Sequence, residues 1–183
     1  ECLAKFNGMF AFVVYDSVLR TYFAARDQFG IKPLYYLRLN DSIVFASEMK
    51  ALVEFLPERV INQEYLGSYL YDSALDYGAD SLLQGIQQVQ SGFYLTSSSS
   101  SQVRWYDLET SIIDRMASGL ETEEYRSELE RAVEIRHRSD VPLTYTLSGG
   151  MDSSSIYAIG SKISNLGSLK AYTLLDSKLD SPI

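Results

Sequence analysis

Cysteine, histidine and tryptophan each occur once in these 183 residues, as Cys2, His137 and Trp105, and proline occurs only four times. One cysteine excludes an internal disulfide and a multi-cysteine metal site, and one histidine argues against a histidine-built zinc site. Such sparing use of cysteine suits a reducing compartment, with Cys2 read as a small structural residue of the core. No apolar run approaches the roughly 20 residues that span a bilayer, and no charged start precedes a signal-like apolar stretch, so the sequence reads as cytoplasmic. Positive charge is also scarce. The 16 Lys and Arg stand against 24 Asp and Glu, a formal net charge of −8, which disfavours broad contact with nucleic acid or an anionic membrane. An anionic ligand must therefore be held by a local arrangement of groups. Two common phosphate signatures are missing too: no Gly-Lys-Ser/Thr of a Walker loop and no G-x-G-x-x-G frame.

What the sequence does have is 46% hydrophobic residues, ample for one ordinary domain or two small ones. It also has the stretch Ser148-Gly149-Gly150-Met151-Asp152-Ser153-Ser154. Residues 141–147 before it are short and rich in β-formers, which predicts a buried strand. After it, Ile156, Ile159, Gly160 and Ile163 recur at spacings of three and four, which predicts a helix from near Ser153 to Gly167. Strand, glycine turn and helix together make an anion site. A helix start leaves backbone N–H groups without partners and concentrates about half a positive charge there. Gly149 and Gly150 permit close approach of a phosphate, and Ser148, Ser153 and Ser154 add hydroxyl donors. Asp152 repels phosphate unless a divalent cation lies between, which makes it a candidate Mg²⁺ ligand. The plain alternative is a serine-rich turn that only caps a helix.

The rest of the chain is read in order. Strands are predicted at residues 9–15, 21–26, 34–39 and 43–46, an antiparallel meander heavy in Tyr and Phe. A turn at 26–33 carries Arg26 and Asp27, read as a structural ion pair. Ser47 is a candidate cap for a short helix at 48–55, and Asn62 for a helix at 61–71 with Tyr65, Leu66, Tyr69 and Leu70 on one face. Residues 72–80 read as loop. The serine run at 96–101 reads as a linker or as a hairpin tip before a strand at 103–106. A charged helix is predicted at 121–138, capped by Thr122, with Tyr125, Leu129, Ala132 and Val133 at helical spacing. His137 reads as a solvated or helix-end histidine. A parallel strand is predicted at 169–175.

The motif Ser-Gly-Gly-x-Asp-Ser-Ser at 148–154 resembles the pyrophosphate loop of the PP-loop ATP pyrophosphatases, and Arg138-Ser139-Asp140-Val141-Pro142 resembles the lead-in found in asparagine synthetases. Three earlier blocks, Asn7-Gly8-Met9-Phe10-Ala11-Phe12, Arg26-Asp27-x-x-Gly30-x-x-Pro33-Leu34-Tyr35-Tyr36 and Ala46-Ser47-Glu48-Met49-Lys50-Ala51-Leu52, resemble the later half of a class II glutamine amidotransferase domain. The implied organisation is part of an α+β N-terminal-nucleophile glutaminase sandwich at 1–108, with the serine run as a hairpin tip. A linker at 109–120 and the start of an α/β PP-loop synthetase domain at 121–183 follow. The resemblance implies glutamine, aspartate and ATP with Mg²⁺ as substrates and cofactor. Ser148, Gly149, Gly150, Asp152, Ser153 and Ser154 fall on ATP and pyrophosphate, Thr146 and Leu174 beside adenosine, and Met9 and Ile31 along an ammonia passage. No residue present is read as catalytic, since the nucleophilic cysteine of such glutaminases is expected upstream of Glu1. Both ends of the sequence are accordingly read as cut.

The resemblance leaves alternatives. A relative that adenylates another carboxylate, as in β-lactam-forming or peptide-cyclising synthetases, and a non-catalytic module of the same fold both keep these motifs. A PP-loop enzyme acting on tRNA is disfavoured by the acidic charge and by the amidotransferase blocks. Small-molecule substrates are expected, with no nucleic acid and no membrane, and a homodimer stays open.

Overall fold

The computed structural model describes residues 2–40, 42–73, 78–116, 119, 121–163 and 169–174. The chain divides into two compact units, Glu1–Ile113 and Asp114–Ile183.

In the first unit β1 (Ala11–Asp16) and β2 (Thr21–Arg26) form the predicted hairpin, and β3 (Tyr35–Leu39) and β4 (Ser42–Ala46) form a second one. They do not continue as one meander. Two antiparallel sheets form, in the orders β1-β2-β6-β7 and β4-β3-β5, where β5 is Ile86–Gln88, β6 Phe93–Thr96 and β7 Val103–Arg104. The serine run joins β6 to its antiparallel partner β7, so it is a hairpin tip. One core is shared by both sheets: Ala24 and Leu95 from the first meet Tyr36 from the second, with Leu34 and Val89 between strands. Strand alternation explains the aromatic content. Tyr22 turns toward this core and meets Phe45 edge-on at 5.4 Å, whereas Phe23 faces the other way, where it sits 5.4 Å from Tyr94 and 6.0 Å from Phe12.

The crossing between the sheets is made by the turn after β2, and its residues are the polar centre of the unit. Asp27 is buried, and its carboxylate accepts four backbone N–H groups: Phe29 and Ile31 on Oδ1 at 3.1 and 3.0 Å, Phe10 and Lys32 on Oδ2 at 3.2 and 3.0 Å. Arg26, equally buried, donates to the carbonyls of Lys32, Gly30 and Val89 and to Gln88 Oε1. Of the two residues predicted to pair with one another, Asp27 thus gathers backbone amides, and Arg26 ties the turn to Gln88 and Val89. Gly30 stands at φ +64, and a Cβ there would collide with Ser91 Oγ and come within 3.0 Å of the Arg26 guanidinium.

A second glycine holds the return. Phe93 N–H bonds Gln90 O, and Gly92, at φ +72, takes the left-handed position of that turn. Its carbonyl accepts from Trp105 and Tyr106, and a Cβ would lie 2.9 Å from Tyr106 O. Gly92→Ala is expected to cost about 2 kcal/mol through backbone strain, read as a lower denaturation midpoint in urea.

Several local expectations are corrected. Cys2 is exposed; the buried residue of its turn is Leu3. Residues 48–55 form two 3₁₀ turns, Met49–Ala51 and Val53–Phe55, and Ser47 caps neither. Asn62 does cap α1 (Gln63–Asp72), accepting from Tyr65 N–H at 3.2 Å, but of the predicted face Tyr69 and Leu70 are exposed. Helix α2 (Leu108–Met116) starts one residue before the stretch 109–120 read as a linker and runs into it, and Asp107 holds its start through Thr110 Oγ1 at 3.0 Å and Ser111 Oγ at 2.8 Å.

The second unit is built from α3 (Thr122–Arg136), β8 (Thr144–Thr146), α4 (Met151–Ile163) and β9 (Lys170–Tyr172). Thr122 is the first residue of α3 and Glu121 its cap position, which makes no side-chain cap bond. Only Val133 of the predicted apolar face is buried. β8 and β9 pair in parallel, Tyr145 opposite Ala171, with α4 as the crossover. The predicted helix end at Gly167 and strand end at Leu175 lie outside the described residues. β8 is less buried than expected, because only Tyr145 faces the helices while Thr144 and Thr146 point outward.

Candidate anion-binding site

The 148–154 loop lies between β8 and α4. Its entry is anchored by the strand pair: Leu147 N–H donates to Tyr172 O at 2.8 Å, and Thr173 Oγ1 donates to Leu147 O. Gly149 then turns the chain at φ +80, while Gly150 has no positive φ. Helix α4 begins at Met151, two residues earlier than predicted, and puts Asp152 in its first turn.

The serines split into two roles. Ser153 Oγ donates to Gly150 O at 3.3 Å and receives Ser148 N–H at 3.3 Å. A hydroxyl has one proton to give, so in the 3.1 Å contact between Ser148 Oγ and Ser153 Oγ the donor is Ser148. Gly150 N–H completes the ring by donating to Ser148 Oγ at 3.4 Å. Ser148 and Ser153 therefore shape the loop, and Ser154 is exposed at its rim. Among the described residues, the N–H groups of Gly149, Met151, Asp152 and Ser153 meet no protein acceptor, as expected of a helix start. Four donors, an aligned helix dipole and an exposed surface suit an anion.

Thr146 closes β8 and Leu174 follows β9; both are exposed, Leu174 at 89%. The Leu147–Tyr172 and Leu147–Thr173 bonds bring these two strand ends together beside the loop. Met9 and Ile31 belong to the first unit and are about half exposed, at 50% and 52%. Asp27 brings their segments to one point, because its carboxylate holds the amides of both Phe10 and Ile31.

Behind the loop lies a contact that sequence reasoning missed. The Tyr145 hydroxyl is 2.5 Å from His137 Nε2, and His137 Nδ1 is 2.8 Å from Val133 O. A carbonyl only accepts, so Nδ1 carries the proton and Nε2 accepts from tyrosine. His137 N–H has turned to Glu134 O, and the imidazole takes up the Val133 carbonyl that an α-helical amide would have bonded. Burial raises the Tyr145 pKa above its usual value, so the hydroxyl remains a donor. The only sequence signal was a histidine within a turn of a helix end.

The first 106 residues match the family model described as Glutamine amidotransferase domain, and residues 124–177 match that described as Asparagine synthase. The chain belongs to the asparagine synthetase family. It carries an amidotransferase segment followed by the start of a synthetase segment, and the loop lies in the latter. Glutamine-hydrolyzing asparagine synthetase B of Escherichia coli is 34% identical over 163 residues, covering 88% of this chain and 25% of that protein. Glutamine-hydrolyzing asparagine synthetase 1 of Bacillus subtilis is 32% identical over 166 residues, covering 87% and 25%. A Gibberella zeae protein named amidase chry2 is 32% identical over 192 residues, covering 94% and 28%. The chain thus spans about a quarter of the length of the curated relatives it matches. Among the described residues no helix is long and apolar enough to cross a membrane.

Proposed function

We propose that this chain is part of a glutamine-dependent, ATP-using asparagine synthetase and that its 148–154 loop receives the pyrophosphate end of ATP. The observation that carries this is the set of four unpartnered amides at the start of α4, within a parallel β–α–β unit of the segment matched by the asparagine synthase model. That unit supports a PP-loop fold for the second segment, and the paired sheets support a partial N-terminal-nucleophile sandwich for the first.

In the reaction, water cleaves the side-chain amide of glutamine to glutamate and ammonia. The side-chain carboxylate of aspartate attacks the α-phosphorus of ATP and expels pyrophosphate. Ammonia then attacks the acyl carbon and expels AMP, giving asparagine. The loop amides, with the Ser154 hydroxyl, stabilise negative charge as it collects on the departing pyrophosphate. Ser148 and Ser153 hold those amides in place. Thr146 and Leu174 border the adenosine, and Met9 and Ile31 line the route of ammonia.

The residues fit Mg²⁺ in one respect. Among the described residues no three His, Cys, Asp or Glu side chains gather to hold a metal by themselves. Asp152 offers one exposed carboxylate beside the phosphate position, and Mg²⁺ is commonly held by one or two carboxylates with phosphate oxygens and water. Bound there, the ion would neutralise phosphate charge.

Supplied with aspartate, glutamine and ATP, the full-length protein is expected to form asparagine and AMP in equal amounts, measured by chromatography. Absence of AMP-linked asparagine would reject aspartate as acceptor. The relative named an amidase favours a second reading, in which ammonia goes to a different carboxylate. AMP formation with another carboxylic acid, and none with aspartate, would select that reading.

A further inference from the structure

His137, Tyr145 and Gly160 come from the end of α3, the middle of β8 and the last turns of α4. They meet at one point. Tyr145 is the residue of β8 that faces the helices; its ring stands edge-on to Tyr157 of α4 at 5.4 Å, and its hydroxyl is held by His137. Gly160 is buried, and a Cβ there would fall on the Tyr145 hydroxyl and lie 2.9 Å from Cζ and 3.0 Å from His137 Cε1. Only glycine lets the tyrosine seat against α4.

We propose that the His137–Tyr145 pair is a positioning device for the 148–154 loop, fixing the angle between β8 and α4 and so the direction of the loop amides. The inference rests on the reading of the loop as the pyrophosphate site. β8 has three residues and is hydrogen-bonded to β9, a ladder that sets its register but makes no contact with α3 or α4. The serine bonds tie Ser148 only to the first turn of α4, through Ser153, and reach neither α3 nor the later turns of α4. Tyr145 supplies a tie to both helices three residues before Ser148. It is tied to α3 through a histidine whose other nitrogen is itself committed to Val133 O, and it bears on α4 at Tyr157 and Gly160. An α-helix moves as a rigid rod over this length, so a displacement at Gly160 reaches Met151 and the amides beside it.

Four variants test this in the full-length protein, in ATP-dependent synthesis supplied with ammonium, with thermal unfolding followed in parallel. Tyr145→Phe removes only the hydroxyl, and His137→Leu removes its acceptor. Gly160→Ala pushes on the tyrosine without deleting a polar group. Each is expected to lower kcat/KM for ATP by about three- to tenfold, the scale of one hydrogen bond, with KM for the carboxylate acceptor unchanged. His137→Gln keeps one donor and one acceptor and is expected to restore most of the loss. If Tm falls while the ATP constants stay at wild-type values below the transition, the pair is structural only and the inference is overturned. Asp152→Asn run alongside separates the two claims. If it abolishes synthesis while Tyr145→Phe leaves ATP use unchanged, the positioning role alone fails; if neither variant changes ATP use, the loop assignment fails.

Discussion

Asp152→Ala in the full-length protein is expected to abolish ATP-dependent amide synthesis, by at least about a hundredfold, and to leave glutamine hydrolysis intact. That factor is the scale on which a single group stabilising transition-state charge acts, and Asp152 is the carboxylate that the first turn of α4 presents beside the four free amides. The folded state barely notices the change. The side chain is exposed, and its interaction with the helix start is worth only about 0.3 to 1 kcal/mol. Asp152→Asn keeps the size and removes the charge, so it should reproduce the loss with an unchanged melting temperature. Glutamate release and AMP formation, measured on one preparation, separate the two half-reactions. Synthesis at wild-type rate in either variant would remove the proposed metal role.

Asp27→Asn should act on folding instead. The carboxylate is 1% exposed and accepts four backbone N–H groups, and bonds to a charged acceptor are worth about 1.5 to 3 kcal/mol each. Asparagine leaves one oxygen able to accept and turns an NH₂ group against two amides. A destabilisation of about 3 to 6 kcal/mol follows, a large part of the 5 to 15 kcal/mol that typically holds a domain together. Chemical denaturation of the chain and of the variant would measure it. A change below about 1 kcal/mol would mean that the turn amides find other acceptors. The same variant loosens one of the ties between the segments of Met9 and Ile31, leaving the Asp27 N–H to Phe10 O bond and the Gln28 side-chain bond to Phe6 O, so any folded fraction should also couple glutamine hydrolysis to synthesis less tightly.

Sequence reasoning reached β1 to β4 and the start of β7 in the first unit, and the loop of the second, because these are written in near neighbours, whereas β5 and β6 were not foreseen. The run from Thr21 to Arg26 opens on the β-formers Thr, Tyr and Phe, and it is β2 to the residue. Gly149 had to turn the chain between an apolar run and a helical repeat, and it does so at positive φ. Asn62 capped its helix as its side chain and position required. Ser47 and Thr122 offered the same local chemistry and were not used as caps, since a cap forms only where packing starts the helix at that residue.

By itself, then, the sequence determined β1 to β4, the strand–glycine–helix turn and the family, because periodicity, turn chemistry and motif spacing act over a few residues. Tertiary structure decided the rest. It split one apparent meander into two sheets around a shared core, and it gave Asp27 four amides from Phe10, Phe29, Ile31 and Lys32 in place of one arginine. It also seated Tyr145 between His137 and Gly160, eight and fifteen residues away on two different helices. Such pairings arise when whole elements pack, and a buried polar group then takes whichever partner that packing brings within hydrogen-bond distance.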